Sequence, residues 1–107
     1  MKHGVNALLA EDFPVFGIVT KNQIYEKMRS NLEEVKARKA PMILLANNGD
    51  EDIKELSEDV IYVPETMELL EPLLNTIPLQ LFAYHMAVLL KKDVDRPRNL
   101  AKSVTVE

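Results

Sequence analysis

Two side chains near opposite ends of the 107-residue chain have the chemistry to move a proton or hold an anion. His3 lies in the loop Lys2-His3-Gly4, and Lys102 lies in the run Asn99-Leu100-Ala101-Lys102-Ser103. An imidazole changes charge near neutral pH, so a histidine held in a loop can act as a general acid or base. A lysine isolated among small and β-branched residues can set its ammonium against a phosphate, a carbonyl or a charged sugar intermediate. Arg96 and Arg98 bracket Pro97, and the fork of each guanidinium matches a carboxylate or phosphate. Each residue also has a plainer reading: His3 as a terminal residue, Lys102 as a solvated lysine, and the arginines as pins holding the tail to an acidic surface. His85, between Tyr84 and Met86, reads as a packed or hydrogen-bonded core histidine.

Composition removes several other chemistries. Cysteine is absent, which excludes a disulfide framework, a thiolate metal site and a cysteine nucleophile within these residues. The three glycines are not clustered, so no phosphate-cradling loop is present. Glu11-Asp12 and Asp50-Glu51-Asp52 read as solvated loop acids. No His, Cys and carboxylate set has metal-ligand spacing, so neither a metal nor a cofactor is expected. A formal charge of −4 with no basic stripe argues against a nucleic-acid surface. The opening MKHGVNALL lacks the long apolar region and cleavage pattern of a signal peptide, so a cytoplasmic location is expected. Apolar stretches fall short of the ~20 residues of a membrane span, and Gln80 and His85 interrupt the longest.

The elements that must position these residues follow from periodicity. Val15 to Val19 is a short apolar run after Pro14 and predicts a strand buried on both faces. Asn22 is placed to cap a helix whose apolar stripe is Ile24, Met28, Leu32 and Val35, ended by Ala40-Pro41. Met42 to Ala46 predicts a second buried strand, closed by the turn Asn47-Asn48-Gly49-Asp50. A short helix around Ile53 and Leu56 and a third strand at Val60 to Val63 complete a βαβαβ order. That order predicts a parallel sheet with helical crossovers. From Thr66 a helical segment interrupted by Pro72 and Pro78 follows. Its second half is apolar nearly all round, as a buried or interfacial helix is. Three strands leave a sheet edge that must be covered or paired, and the chain enters its first strand from a loop. Missing upstream structure is therefore expected.

The stretches Lys2-His3-Gly4, Phe13-Pro14-Val15, SNLEEVKAR at 30–38, IPLQLFAYHMAVL at 77–89 and DVDRPRNLAKSVTVE at 93–107 resemble the C-terminal end of the glucosamine-6-phosphate synthase family. These are the isomerising glutamine:fructose-6-phosphate amidotransferases. The resemblance spans essentially the whole chain and falls on most of the second sugar isomerase (SIS) domain. It implies an α/β fold, a three-layer α/β/α parallel sheet of SIS type that is incomplete, with about three strands retained. By the same resemblance residues 1–92 are a partial SIS domain, and 93–107 are a C-terminal functional tail that closes over the active site. The family converts fructose 6-phosphate to glucosamine 6-phosphate in amino-sugar biosynthesis, using ammonia delivered from glutamine.

His3 then becomes the catalytic residue that opens the sugar ring, reaching the site from a neighbouring subunit. Lys102 becomes catalytic and substrate-binding, Ala101 a backbone contact to the sugar, and Arg98 the residue that orders the tail. The implied partners are the two sugar phosphates, the missing N-terminal part of the same enzyme and a second copy in a homodimer. Val5-Asn6 replaces the family's Pro-Leu after Lys-His-Gly and loosens the loop presenting His3. The family's catalytic glutamate and lysine, its first SIS domain and its glutaminase domain are not among these residues, so the chain alone is expected to be inactive. The alternative is a non-catalytic sugar-phosphate-binding or oligomerisation module of SIS type.

Overall fold

The computed structural model describes Gly4 and residues 8–96. The order is β1 (Val15–Val19), α1 (Tyr25–Ala37), β2 (Met42–Asn47), a short 3₁₀ turn (Asp52–Glu55), β3 (Asp59–Val63), a second 3₁₀ turn (Glu68–Leu70) and α2 (Glu71–Leu89). Among the described residues, those up to Asn75 form one compact unit and those from Thr76 form a second.

The strands form one parallel sheet in the order β1-β2-β3. Val15 pairs with Met42 and Ala46 pairs with Tyr62, so the registers of the two ladders run on without a bulge. Alternation places Val15, Gly17, Val19, Met42, Leu44, Ala46, Val60 and Tyr62 on one face. That face carries the main core, together with Leu32 and Val35 of α1 and Ile53 and Leu56 beyond β2. Gly17 lets α1 approach closely, because a Cβ there would stand 2.9 Å from Cδ2 of both Leu32 and Leu44.

The opposite face is less uniform than the apolar runs predict. Leu45 at its centre is fully buried, but Ile18 on the β1 edge is 38% exposed. The strand expected to be buried on both faces is therefore covered on one. An outer strand of a sheet has a neighbour on one side only, and its side chains depend on what lies over that face.

Local stop signals also differ from expectation. Asn22 does not cap α1: its Oδ1 accepts the Ile24 N–H at 3.0 Å, and its carbonyl accepts the Tyr25 N–H at 3.1 Å. This two-residue-ahead bond turns the chain before the helix starts at Tyr25. Ile24 falls outside the stripe and is 58% exposed, whereas Leu32 and Val35 are buried. Lys39 ends α1 in the left-handed region (φ 59°), and Lys91 does the same after α2 (φ 53°). After α2 the Lys91 N–H bonds Val88 O and the Lys92 N–H bonds Ala87 O, the paired closure of a Schellman motif. Pro72 sits in the first turn of α2, where an N–H is free in any case. Pro78 does not interrupt α2, which runs through it to Leu89.

Candidate functional site

In open α/β sheets ligands bind beyond the carboxyl ends of the strands. Here those ends are joined by a polar network. Asn47, the last residue of β2, accepts the Lys21 N–H on Oδ1 at 2.6 Å and donates Nδ2 to Pro64 O at 3.4 Å. One amide thus joins the segments that follow all three strands. Thr20, directly after β1, donates its hydroxyl to Glu71 Oε2 at 3.0 Å, and Asn22 Nδ2 donates to the same oxygen at 2.9 Å. Glu71 opens α2 and is 9% exposed, so the start of that helix is tied to the β1–α1 loop.

A second cluster closes the turn after β2. Asp50, read from sequence as a solvated acid, is 1% exposed. Its Oδ2 accepts the Tyr25 hydroxyl at 2.7 Å, and its backbone oxygen accepts the Tyr62 hydroxyl at 3.3 Å. Gly49 supplies the positive φ of 82° that turns the chain back to Asp50. Burial first, then the hydrogen bond and charge of Asp50, push the Tyr25 hydroxyl from its ordinary 10.0 up to about 12. Tyr25 therefore stays a donor throughout the physiological range.

Between these clusters an open cleft of about 470 Å³ is lined by Lys21, Asn22, Tyr25, Glu26, Arg29 and Asp52. Two cations, two carboxylates, an amide and a phenol can bind and orient a small polar group.

His3, Arg98, Ala101 and Lys102 lie outside the described residues. The tail's first turn is described: Asp93 Oδ1 accepts the N–H groups of Asp95 and Arg96 at 3.0 and 2.9 Å. This bend precedes Pro97, and Arg96 itself is exposed. His85 is exposed rather than packed in a core, with its ring set edge-on to Tyr84 at 5.4 Å between centroids. The apolar surroundings that suggested burial are themselves exposed, Leu81 and Leu89 among them.

Sequence reading missed Thr20, Asn47, Asp50, Glu71 and Asn75. The available signal was position: three of the five, Thr20, Asn47 and Glu71, directly follow a predicted strand or open the last helix, where backbone ends need polar partners.

The chain was compared with known proteins. The family model of the SIS domain matches residues 1–90. Over all 107 residues the chain is 57% identical to the glutamine–fructose-6-phosphate aminotransferase [isomerizing] of Thermus thermophilus, covering 18% of that protein. Identity is 55% to the protein of the same name in Chlorobaculum tepidum and 52% to that in Methanosarcina acetivorans, each covered to 17%. The chain thus spans less than one fifth of the length of these curated relatives. Among solved structures, the C-terminal domain of glucosamine-fructose-6-phosphate aminotransferase from Francisella tularensis matches with a TM-score of 0.76 and 33% identity, over 89% of this chain and 27% of that one. The parallel sheet, the helices and the match of the SIS model together place the fold: the chain belongs to the SIS domain family.

Proposed function

We propose that this chain is the C-terminal part of the isomerising half of a glutamine–fructose-6-phosphate aminotransferase. In this reading it binds fructose 6-phosphate and helps convert it to glucosamine 6-phosphate. The observation that carries the reading is 57% identity to a relative so named, sustained over every residue of the chain. Residues 1–92 serve as scaffold and 93–107 as a lid over the sugar. The Asp93 turn supports that division, since it bends the chain just before the Arg96-Pro97 step.

The roles divide by chemistry. His3 moves the proton that opens the sugar ring, since an imidazole both gives and takes a proton near neutral pH. Lys102 sets its ammonium against the oxygen that gains charge as the ring opens, and Ala101 holds the sugar through its backbone. Arg98 orders the lid through its guanidinium fork. Proton transfer between adjacent sugar carbons needs a further base, and in this reading the base comes from sequence outside these 107 residues. The working form is a cytoplasmic homodimer in which His3 serves the neighbouring subunit's site.

The test is glucosamine 6-phosphate formation from fructose 6-phosphate with glutamine or ammonia. The 107-residue chain alone should be silent, and co-expression with upstream aminotransferase sequence should restore the rate. Within that restored enzyme His3→Ala or Lys102→Ala should lower kcat about 100-fold or more, the usual loss when a proton-transfer group is removed. Activity of the isolated chain, or a full rate from His3→Ala, overturns the proposal.

A second reading, an oligomerisation module of SIS type, is favoured by one observation. Leu73, Ile77, Leu81 and Leu89 of α2 are each more than half exposed. Concentration-dependent self-association without restored activity would select it.

A further inference from the structure

Beyond Asn75 the second half of α2 belongs to the unit that begins at Thr76. Ile77, Leu81, Tyr84 and Val88 lie there at spacings of four, three and four, so they share one face of the helix. Each is 49–55% exposed. Gln80 and His85, both exposed, border that face on either side at the helical period. An apolar seam with a polar edge is what one helix presents to another at a shallow crossing angle. Helix α2 has no Lys or Arg to meet a lipid headgroup, and among the described residues no helix is long and apolar enough to cross a membrane. The seam is also small for a second copy of the chain. From Ile77 to Val88 it runs about 16 Å and is about 10 Å wide, far short of the ~800 Å² that each partner of a stable dimer covers.

We propose that this seam receives an apolar helix from the part of the isomerising domain that lies outside these 107 residues. The inference rests on the functional reading above. The matched C-terminal domain from Francisella tularensis is covered to 27%, which leaves nearly three quarters of such a domain to supply the partner. Segments of one polypeptide meet at high effective concentration, so a contact of this size suffices where separate chains need more. A helix with small or aliphatic residues at its facing positions fits between the side chains of Ile77, Leu81 and Val88. Its flanks carry hydrogen-bonding groups for Gln80, His85 and the Tyr84 hydroxyl, because polar atoms covered by the contact need partners. The apolar composition of α2 then marks a buried helix of the complete domain, and its exposure here marks the place where the rest docks.

The chain has no cysteine, so one introduced thiol reports on one position. Leu81→Cys and the smaller change Val88→Cys are each made in the 107-residue chain and in the full-length Thermus thermophilus relative carrying this chain in place of its matching segment. Reaction with a maleimide, read at the substituted residue by peptide mass spectrometry, should be about 100-fold slower or more in the full-length protein. Glu33→Cys, at an exposed position of α1, should react at similar rates in both. Similar rates in the two settings for Leu81→Cys and Val88→Cys overturn the inference, and leave the functional reading standing where the unmodified hybrid forms glucosamine 6-phosphate. Equal slowing of Glu33→Cys also overturns it, because the cover would then not be specific to the seam. So does slowing in the isolated chain that grows with its concentration, since a second copy would then occupy the seam. A hybrid that folds without forming glucosamine 6-phosphate overturns the functional reading, and this inference with it.

Discussion

The two long helices invert each other's logic. Along α1, charged residues fill the positions between the apolar ones, and the side chains it buries are Leu32 and Val35. Along α2 the sequence is apolar nearly all round, yet the side chains it buries are Glu71 and Asn75. Helix α1 therefore has its complement within the chain, in Gly17 and Leu44 of the sheet. The leucines of α2 beyond Asn75 have a composition suited to burial and an exposure that is not buried. Hydropathy reports the surroundings for which a helix was selected. Agreement with the observed exposure tests whether those surroundings are inside the same polypeptide.

This contrast can be broken by substitution. The largest effect is expected at Leu32→Ala, which empties a site 3% exposed between β1 and β2. Loss of about 3 kcal/mol in urea unfolding is typical of a buried leucine. A loss below ~1 kcal/mol would mean that α1 is not anchored as described.

Glu71→Ala comes next. It leaves Thr20 Oγ1 and Asn22 Nδ2 without their shared acceptor and should cost about 2 kcal/mol. Tyr25→Phe should cost about 1 kcal/mol, the net worth of one hydrogen bond to Asp50. It also has a pH signature. With its native value raised from 10.0 to about 12, Tyr25 holds its proton longer in the folded chain than in the unfolded one. Stability from this source is complete below pH 10 and falls as pH rises from 10 through 12. The Phe variant should lose that alkaline component, measurable as a flatter dependence of the thermal midpoint on pH. The smallest effect is expected at Leu81→Ala on α2, within ~0.5 kcal/mol for a side chain 54% exposed. A loss like that of Leu32→Ala would abolish the contrast between the helices.

Much of the sheet was legible because its signal is local. Continuous apolar runs bounded by Pro14, Asn48 and Pro64 mark three strands, and each begins and ends within one residue of expectation. The parallel pairing followed from the alternation of strand and helix. The start of α1 was misplaced because Asn22 has two competing uses, a cap or a turn, and its amide is drawn to Glu71 forty-nine residues away. Asp50 was misread for the same reason: a neighbourhood of acids suggests solvent, but Tyr25 and Tyr62 reach it from α1 and β3. Such partners are set by the closed sheet, and no window of sequence contains them. The roles proposed for His3, Arg98, Ala101 and Lys102 come from family resemblance, because single residues carry no periodicity.

The two left-handed lysines leave room for engineering. Lys39 and Lys91 each hold a backbone conformation that glycine adopts without a steric penalty. Lys39 gains little in return, since its ion pair with Glu11 is 3.8 Å long and lies in solvent. A glycine at position 39 is thus a conservative route to a sturdier protein, one that changes no side chain of the core or of the polar network. The fold has been selected to a sufficient stability and not to its maximum.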